Sequence, residues 1–198
     1  MKTTILKSVM AALMVLFSLN AHAYDVEIDG IYYNLNEESN TAEVTSGDDL
    51  YTGEVVIPSS IETGGVTYSV TIIGSQAFYQ CSDLTSVSIP NSVTSIDFLA
   101  FWGCTALASV DFPNSITFID ESAFNKTAWL NNQEDGVVYI GSMAYKYKGQ
   151  MPENTSIIIK DGTTIINYDA FHGCQGLTSV TIPNSVTFIR QSAFSGCI

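Results

Sequence analysis

The dipeptide Ala-Phe recurs at Ala77-Phe78, Ala100-Phe101, Ala123-Phe124, Ala170-Phe171 and Ala193-Phe194, at intervals of 23, 23, 47 and 23 residues. The long interval is two periods plus one residue. A second anchor keeps the same register: Ile89-Pro90-Asn91-Ser92-Val93, Phe112-Pro113-Asn114-Ser115-Ile116 and Ile182-Pro183-Asn184-Ser185-Val186. A third is Cys81, Cys104, Cys174 and Cys197, each four residues after the repeat Ala. Self-similarity at a fixed period of this length means stacked supersecondary units rather than a single closed core. No unit buries its apolar face alone, so stability comes from neighbour contacts.

The stretch Leu84–Cys104 shows what one unit does. Leu84, Val87 and Ile89 follow the L-x-x-L-x-L spacing of a leucine-rich repeat strand. Ser86 and Ser88 fall between them and face the other way, because strand side chains alternate. Pro90 cannot donate to a ladder and ends the strand. Asn91-Ser92 is turn chemistry. Val93 and Ile96 are the next inward positions, Ala100 and Phe101 come from a short helical or turn-like arc, and Cys104 closes the coil. Abundant Ile, Val, Thr, Ser, Tyr and Phe favour strands and turns over helices. The expected fold is a right-handed repeat solenoid, mostly β, with a parallel strand sheet and units of about 23 residues over 72–198.

Two irregularities interrupt the period. Residues 24–71 read as an N-terminal β cap with a degenerate first repeat, in which Glu54–Ile61 echoes the Ile-Pro anchor and Gly64-Gly65 makes a turn before Ser69-Val70. Residues 129–152 read as an inserted β-hairpin replacing one arc: Val137–Ile140 and Met143–Lys148 have strand composition, broken at Gly141-Ser142. Thr127 stands where the other repeats carry Cys. Cys197-Ile198 falls partway through a repeat, so a longer array, or something covering the open end, is expected.

Residues 1–23 are expected to be a leader rather than fold. Lys2 and Lys7 precede an apolar run, Val9–Leu19, too short to span a bilayer comfortably. Ala21-His22-Ala23 places small residues at a cleavage site after Ala23. A membrane anchor is the alternative. No Cys lies near that site, so a lipoprotein anchor is not expected, nor is a transmembrane segment after cleavage. A secreted or cell-surface location follows. The chain from Tyr24 carries 20 acidic and five basic residues, a net charge of −15. From Tyr24 to Asn125 there is no Lys or Arg against 15 carboxylates, whereas beyond that the signs balance at five each. Such a charge repels nucleic acid and anionic lipid. It serves either plain solubility or a basic partner.

On the motif L-T-S-V-x-I-P-N-S-V-T-x-I-x-x-x-A-F-x-x-C, nearly unbroken at Leu84–Cys104 and Leu177–Cys197, the sequence resembles the BspA-like leucine-rich repeat family of bacterial surface proteins. Gly136–Tyr139 through Tyr145–Gly149 is similar to a hairpin insertion of that family, and so is Asp29–Tyr33. The resemblance implies a secreted or surface-attached protein of host-associated anaerobes with binding or adhesive roles, and no catalytic residue. The short array departs from the family pattern.

No constellation for chemistry is apparent, and no cofactor, metal or enzyme activity is expected. Four Cys at one repeat position form a parallel column, poor geometry for disulfides or for zinc, and are expected to be buried thiols. His172 is the one His after Tyr24, so no Ser-His-Asp arrangement can be built. The adjacent pairs Glu37-Glu38, Asp48-Asp49, Asp120-Glu121 and Glu134-Asp135 read as solvated turns. Two surfaces remain. One is the outward strand face: Glu54, Val56, Ser86, Ser88, Ser109, Asp111, Ser156, Ile158, Ser179 and Thr181. It is either a binding sheet or tolerated strand filler. The other is the hairpin with Trp129, Tyr139, Tyr145 and Tyr147 beside Lys146 and Lys148. These aromatics either meet a ligand or pack on the solenoid. The expected function is binding or adhesion to a host protein or glycan. A spacer carrying a C-terminal domain, or part of an enzyme with its catalytic domain elsewhere, are the alternatives. Nothing in the sequence fixes an oligomeric state.

Overall fold

A computed structural model describes residues 24–197, so the leader reading of residues 1–23 lies outside the described residues. Three antiparallel strands come first: β1 (Val26–Ile28), β2 (Ile31–Asn36) and β3 (Thr41–Thr45). Asp29-Gly30 links the first two with φ of 51° and 78°, the left-handed pair that a two-residue hairpin requires. β4 (Gly53–Val56) leads to β5 (Ser60–Thr63) and β6 (Val66–Ile73), which pair antiparallel around Gly64-Gly65. β6 also lies parallel to β3 and so joins the cap to the repeats.

Each regular repeat contributes two strands. β7 (Leu84–Ser88) is followed by the two-residue β8 (Ser95–Ile96), and β9 (Ser109–Asp111) by β10 (Phe118–Ile119). The longer strands form one parallel ladder, β4-β7-β9, with Val55, Val87 and Val110 in register and Val56, Ser88 and Asp111 in register. The short strands form another, β6-β8-β10, aligning Ile73, Ile96 and Ile119. This second ladder was not foreseen, because two residues carry no readable alternation. The arcs holding the Ala-Phe pairs are turns, not helices. Backbone at φ near +60° to +78° recurs two residues after each repeat Phe, at Gln80, Gly103, Lys126, Gly173 and Gly196. A right-handed helical path cannot pass through that conformation.

The insertion begins with α1 (Ala128–Asn131), capped by Thr127, whose Oγ1 accepts from Leu130 N at 3.1 Å and donates to Phe124 O at 2.8 Å. β11 (Gly136–Ile140) and β12 (Met143–Lys148) then form the hairpin. Regular geometry resumes with β13 (Thr155–Ile158), β14 (Ile165–Ile166), β15 (Leu177–Thr181) and β16 (Phe188–Ile189). β13 pairs with β15, and β12-β14-β16 make a ladder in which β12 substitutes for a missing short strand. The outer strand sheet is thus split into β4-β7-β9 and β13-β15.

The core is a column of rings. Phe78, Phe101 and Phe124 stack at 4.8 and 5.0 Å with planes within 9° of parallel. Phe171 and Phe194 stack at 5.1 Å. Tyr51 extends the column into the cap, 4.4 Å from Phe78. The repeat architecture is a mostly β solenoid with parallel ladders, as the period predicts.

Candidate binding surfaces

The alternation of the long strands decides what faces outward. Leu84, Val87 and Ile89 are buried, whereas Ser86 and Ser88 are half-buried and Ser109 and Asp111 exposed on the opposite face. Ser179 and Thr181 are likewise exposed on β15, and Ser179 Oγ bonds Ser156 Oγ at 2.8 Å. These candidates fall into two patches, because the sheet is interrupted. The first holds Glu54, Ser86, Ser88, Ser109 and Asp111 around Val56, which is 61% exposed. The second holds Ser156, Ser179 and Thr181 around Ile158, 77% exposed. Aliphatic side chains at such exposure give each otherwise polar patch an apolar centre.

Beside the first patch lies a cleft of about 290 Å³ within the cap, between the β1–β2 hairpin and β4. Its walls include Asp29, Asp49 and Glu54, the aromatic rings of Tyr32 and Tyr51, and Leu50, which is 64% exposed. Tyr51 Oη accepts from Tyr32 N at 3.0 Å and donates to Thr45 O at 2.7 Å, fixing the floor. Glu54 and Val56 belong to cleft and strand face alike, so the two surfaces are continuous. Sequence reasoning missed this cleft. Its only signal was the run of carboxylates without a cation.

The hairpin candidates separate. Tyr145 is fully buried, its hydroxyl directed to the carbonyls of Asp120 and Glu121 at 3.3 and 3.1 Å. Reading it as a ligand contact is corrected: its ring fills core space against Phe124, at 6.2 Å. Trp129 is half-buried between Phe112 and Phe124, at 5.1 and 5.0 Å. Tyr139 is half-buried, and its Oη accepts from Lys160 N at 3.0 Å. Lys146 donates to Glu121 O and Asn125 Oδ1 at 3.0 and 3.1 Å, and burial lowers its pKa. Lys148 donates to Asn131 O and Gln133 O. Both ammonium groups act as internal struts. Tyr147 differs: it is half-buried, leans on Phe171 at 6.4 Å and lines open clefts.

All four Cys are unpaired. Cys104 and Cys197 Sγ donate to the carbonyls of Phe78 and Phe171 in the preceding repeat, at 2.9 and 3.0 Å. Burial pushes the Cys104 thiol up to about 12, so it stays protonated and unreactive at neutral pH. Asp120 is occupied locally, accepting from Ser122 N at 2.9 Å and from Ser122 Oγ. Among the described residues no group of His, Cys, Asp and Glu is placed to hold a metal ion, and no helix is long and apolar enough to cross a membrane.

Residues 138–198 match the family model described as BspA type leucine rich repeat region, in six copies. A leucine-rich repeat protein from Bacteroides ovatus ATCC 8483 is similar in structure, with a TM-score of 0.51 and 26% identity over 88% of this chain and 45% of that one. A leucine rich repeat protein from T. pallidum gives a TM-score of 0.50 and 27% identity over 87% of this chain and 67% of its own. The chain therefore spans less than half the length of the B. ovatus protein. No curated protein matches it.

Proposed function

We propose that this protein, a leucine-rich repeat protein of the BspA type, is an exported binding module that takes a basic protein partner on its first strand patch and the adjoining acidic cleft. One observation carries the reading: Leu50 and Val56 stand exposed among Asp29, Asp49, Glu54 and Asp111, beside and on a sheet whose other face packs against the core. Exposed apolar groups rimmed by polar ones mark interaction surfaces. Carboxylates without a neighbouring cation favour a positively charged partner and speed its approach. Extended strand faces are also how solenoids usually bind. The leader-like residues 1–23 support export to the cell surface or beyond. Residues 24–71 serve as cap and 72–198 as repeats, with 129–152 inserted.

The test is surface plasmon resonance against basic host matrix proteins and their acidic counterparts. Leu50→Ser with Val56→Thr should weaken binding at least about tenfold, the scale of losing a hot-spot contact. Binding to basic partners should also weaken as salt rises. A double variant that folds and binds like the parent would sink this reading and favour a spacer role.

A further inference from the structure

Two clefts of about 400 and about 280 Å³ flank the exit of the inserted hairpin, and both are walled by Tyr147 and His172. We propose that this paired cleft, outside the strand face, is a binding site for a neutral oligosaccharide lying across the Tyr147–His172 ridge. Its volumes approach or fall within the range of small-ligand sites.

The larger cleft offers what a sugar needs. Tyr147 supplies an aromatic ring held against Phe171, a surface on which the C–H face of a pyranose can rest. Around it, Gln150, Glu153 and Gln175 are exposed, and among the described residues their side chains meet no hydrogen-bond partner. Amide and carboxylate groups provide both the donors and the acceptors that a rim of hydroxyls demands. Among the described residues the Tyr147 hydroxyl likewise meets no partner, unlike those of Tyr139 and Tyr145. A Cβ built at Gly173 would meet nothing within 4 Å, so part of the wall is open space.

Charge narrows the class. Glu121, Asp169 and Glu153 border the two clefts against one ammonium, Lys146. That ammonium already serves Glu121 O and Asn125 Oδ1. Sialylated or sulfated glycans and nucleotides are therefore disfavoured, and a neutral glycan is not. The walls carry no exposed aliphatic group comparable to Leu50 or Val56, so an apolar peptide side chain finds no anchor here.

The experiment is an NMR titration of the isotopically labelled full chain with neutral tetrasaccharides of glucose, galactose and N-acetylglucosamine, and with a sialylated counterpart. At least one neutral member should shift the amides of residues 149–151 and 172–176 at millimolar concentration, and the sialylated one should not. Tyr147→Ala should weaken that binding about tenfold, the scale of one lost ring contact. Gln175→Ala, at an exposed position that leaves the core untouched, should weaken it about threefold, as for one hydrogen bond. Tyr147→Phe should retain most of it. The proposal is overturned if no neutral sugar shifts these amides, if Gln175→Ala and a folded Tyr147→Ala bind as the parent does, or if the shifts fall on β4, β7 and β9 instead. The last outcome would move the saccharide to the strand face and leave the protein-binding reading to its own test.

Discussion

Residues 72–127 and the insertion that follows fill the same column of space by different means. In the regular repeats one Phe per turn stacks on the next, and each short strand donates to the carbonyl one repeat back. Thus Asp97 N bonds Ile73 O and Asp120 N bonds Ile96 O, both at 2.9 Å. At the insertion no backbone amide of the described residues continues that series to Ile119 O. The side chain of Asn167, fully buried, reaches in instead, its Nδ2 2.7 Å from Ile119 O. The ring column is interrupted too, and Trp129 and Tyr145 pack against Phe124 in place of a further Phe. A solenoid core thus asks for ring volume and for a donor at each orphaned carbonyl, and is indifferent to which residue supplies them.

The largest effect that tests this equivalence is truncation of a ring on either side. Phe101→Ala and Tyr145→Ala should each cost about 3–5 kcal/mol in denaturant unfolding. If Tyr145→Ala costs well under half as much, the insertion is a loose appendage rather than core. Phe194→Ala, at the partly exposed end of the column, should cost clearly less than Phe101→Ala.

Alkaline pH compares cap and insertion. Burial raises the phenol pKa values of Tyr33, Tyr51 and Tyr145, that of Tyr33 to about 12. Above the ordinary tyrosine value of 10.0 the unfolded chain sheds these protons and the folded chain keeps them. The folded state binds more protons, so stability falls as pH rises. The Tyr33 contribution is present in full below that value and lost as pH climbs towards about 12. The buried thiols of Cys81, Cys104 and Cys174, raised by burial, act in the same sense, and Lys146, with its pKa lowered by burial, acts against them all. Thermal melts across this window should show a falling Tm, less steeply in Tyr145→Phe. A flat profile would mean the rings are wetter than they stand here.

Smaller effects probe the substitutes one by one. Asn167→Leu strands Ile119 O in the core and should cost about 1–3 kcal/mol. No loss would show that this carbonyl finds water. Gly103→Ala places a side chain at φ 78° and 3.2 Å from Gln80 Cγ, and should cost about 1–2 kcal/mol by chemical denaturation. A neutral result would show that the arc relaxes, as it does around Lys126 at φ 63°.

Much of the fold was legible because a repeat states its own register several times. Leu84, Val87 and Ile89 are buried as their spacing predicts, and the Ala-Phe and Cys anchors line up across neighbours. The strand-face candidates also follow from alternation alone. The hairpin candidates were only half legible. Tyr145 and Tyr147 lie two residues apart on β12 and share one side of the strand by alternation, yet one is core and the other borders a cleft. What separates them is the neighbouring chain: Asp120 and Glu121 close over Tyr145, while glycines leave room beside Tyr147. The acidic cleft was invisible because Asp29, Asp49 and Glu54 come from three separate segments of the cap.

The 23-residue period by itself determined that this chain stacks, which residues form the stacked column, and which strand positions look outward. Those properties depend on spacing along one repeat, and spacing is written in the sequence. Only the tertiary structure decided which rings fill the gap in the column, that a buried Asn completes a ladder across it, and that Tyr147 borders open space. Each depends on groups from different turns meeting at one point, and their meeting is set by how the insertion packs rather than by its composition.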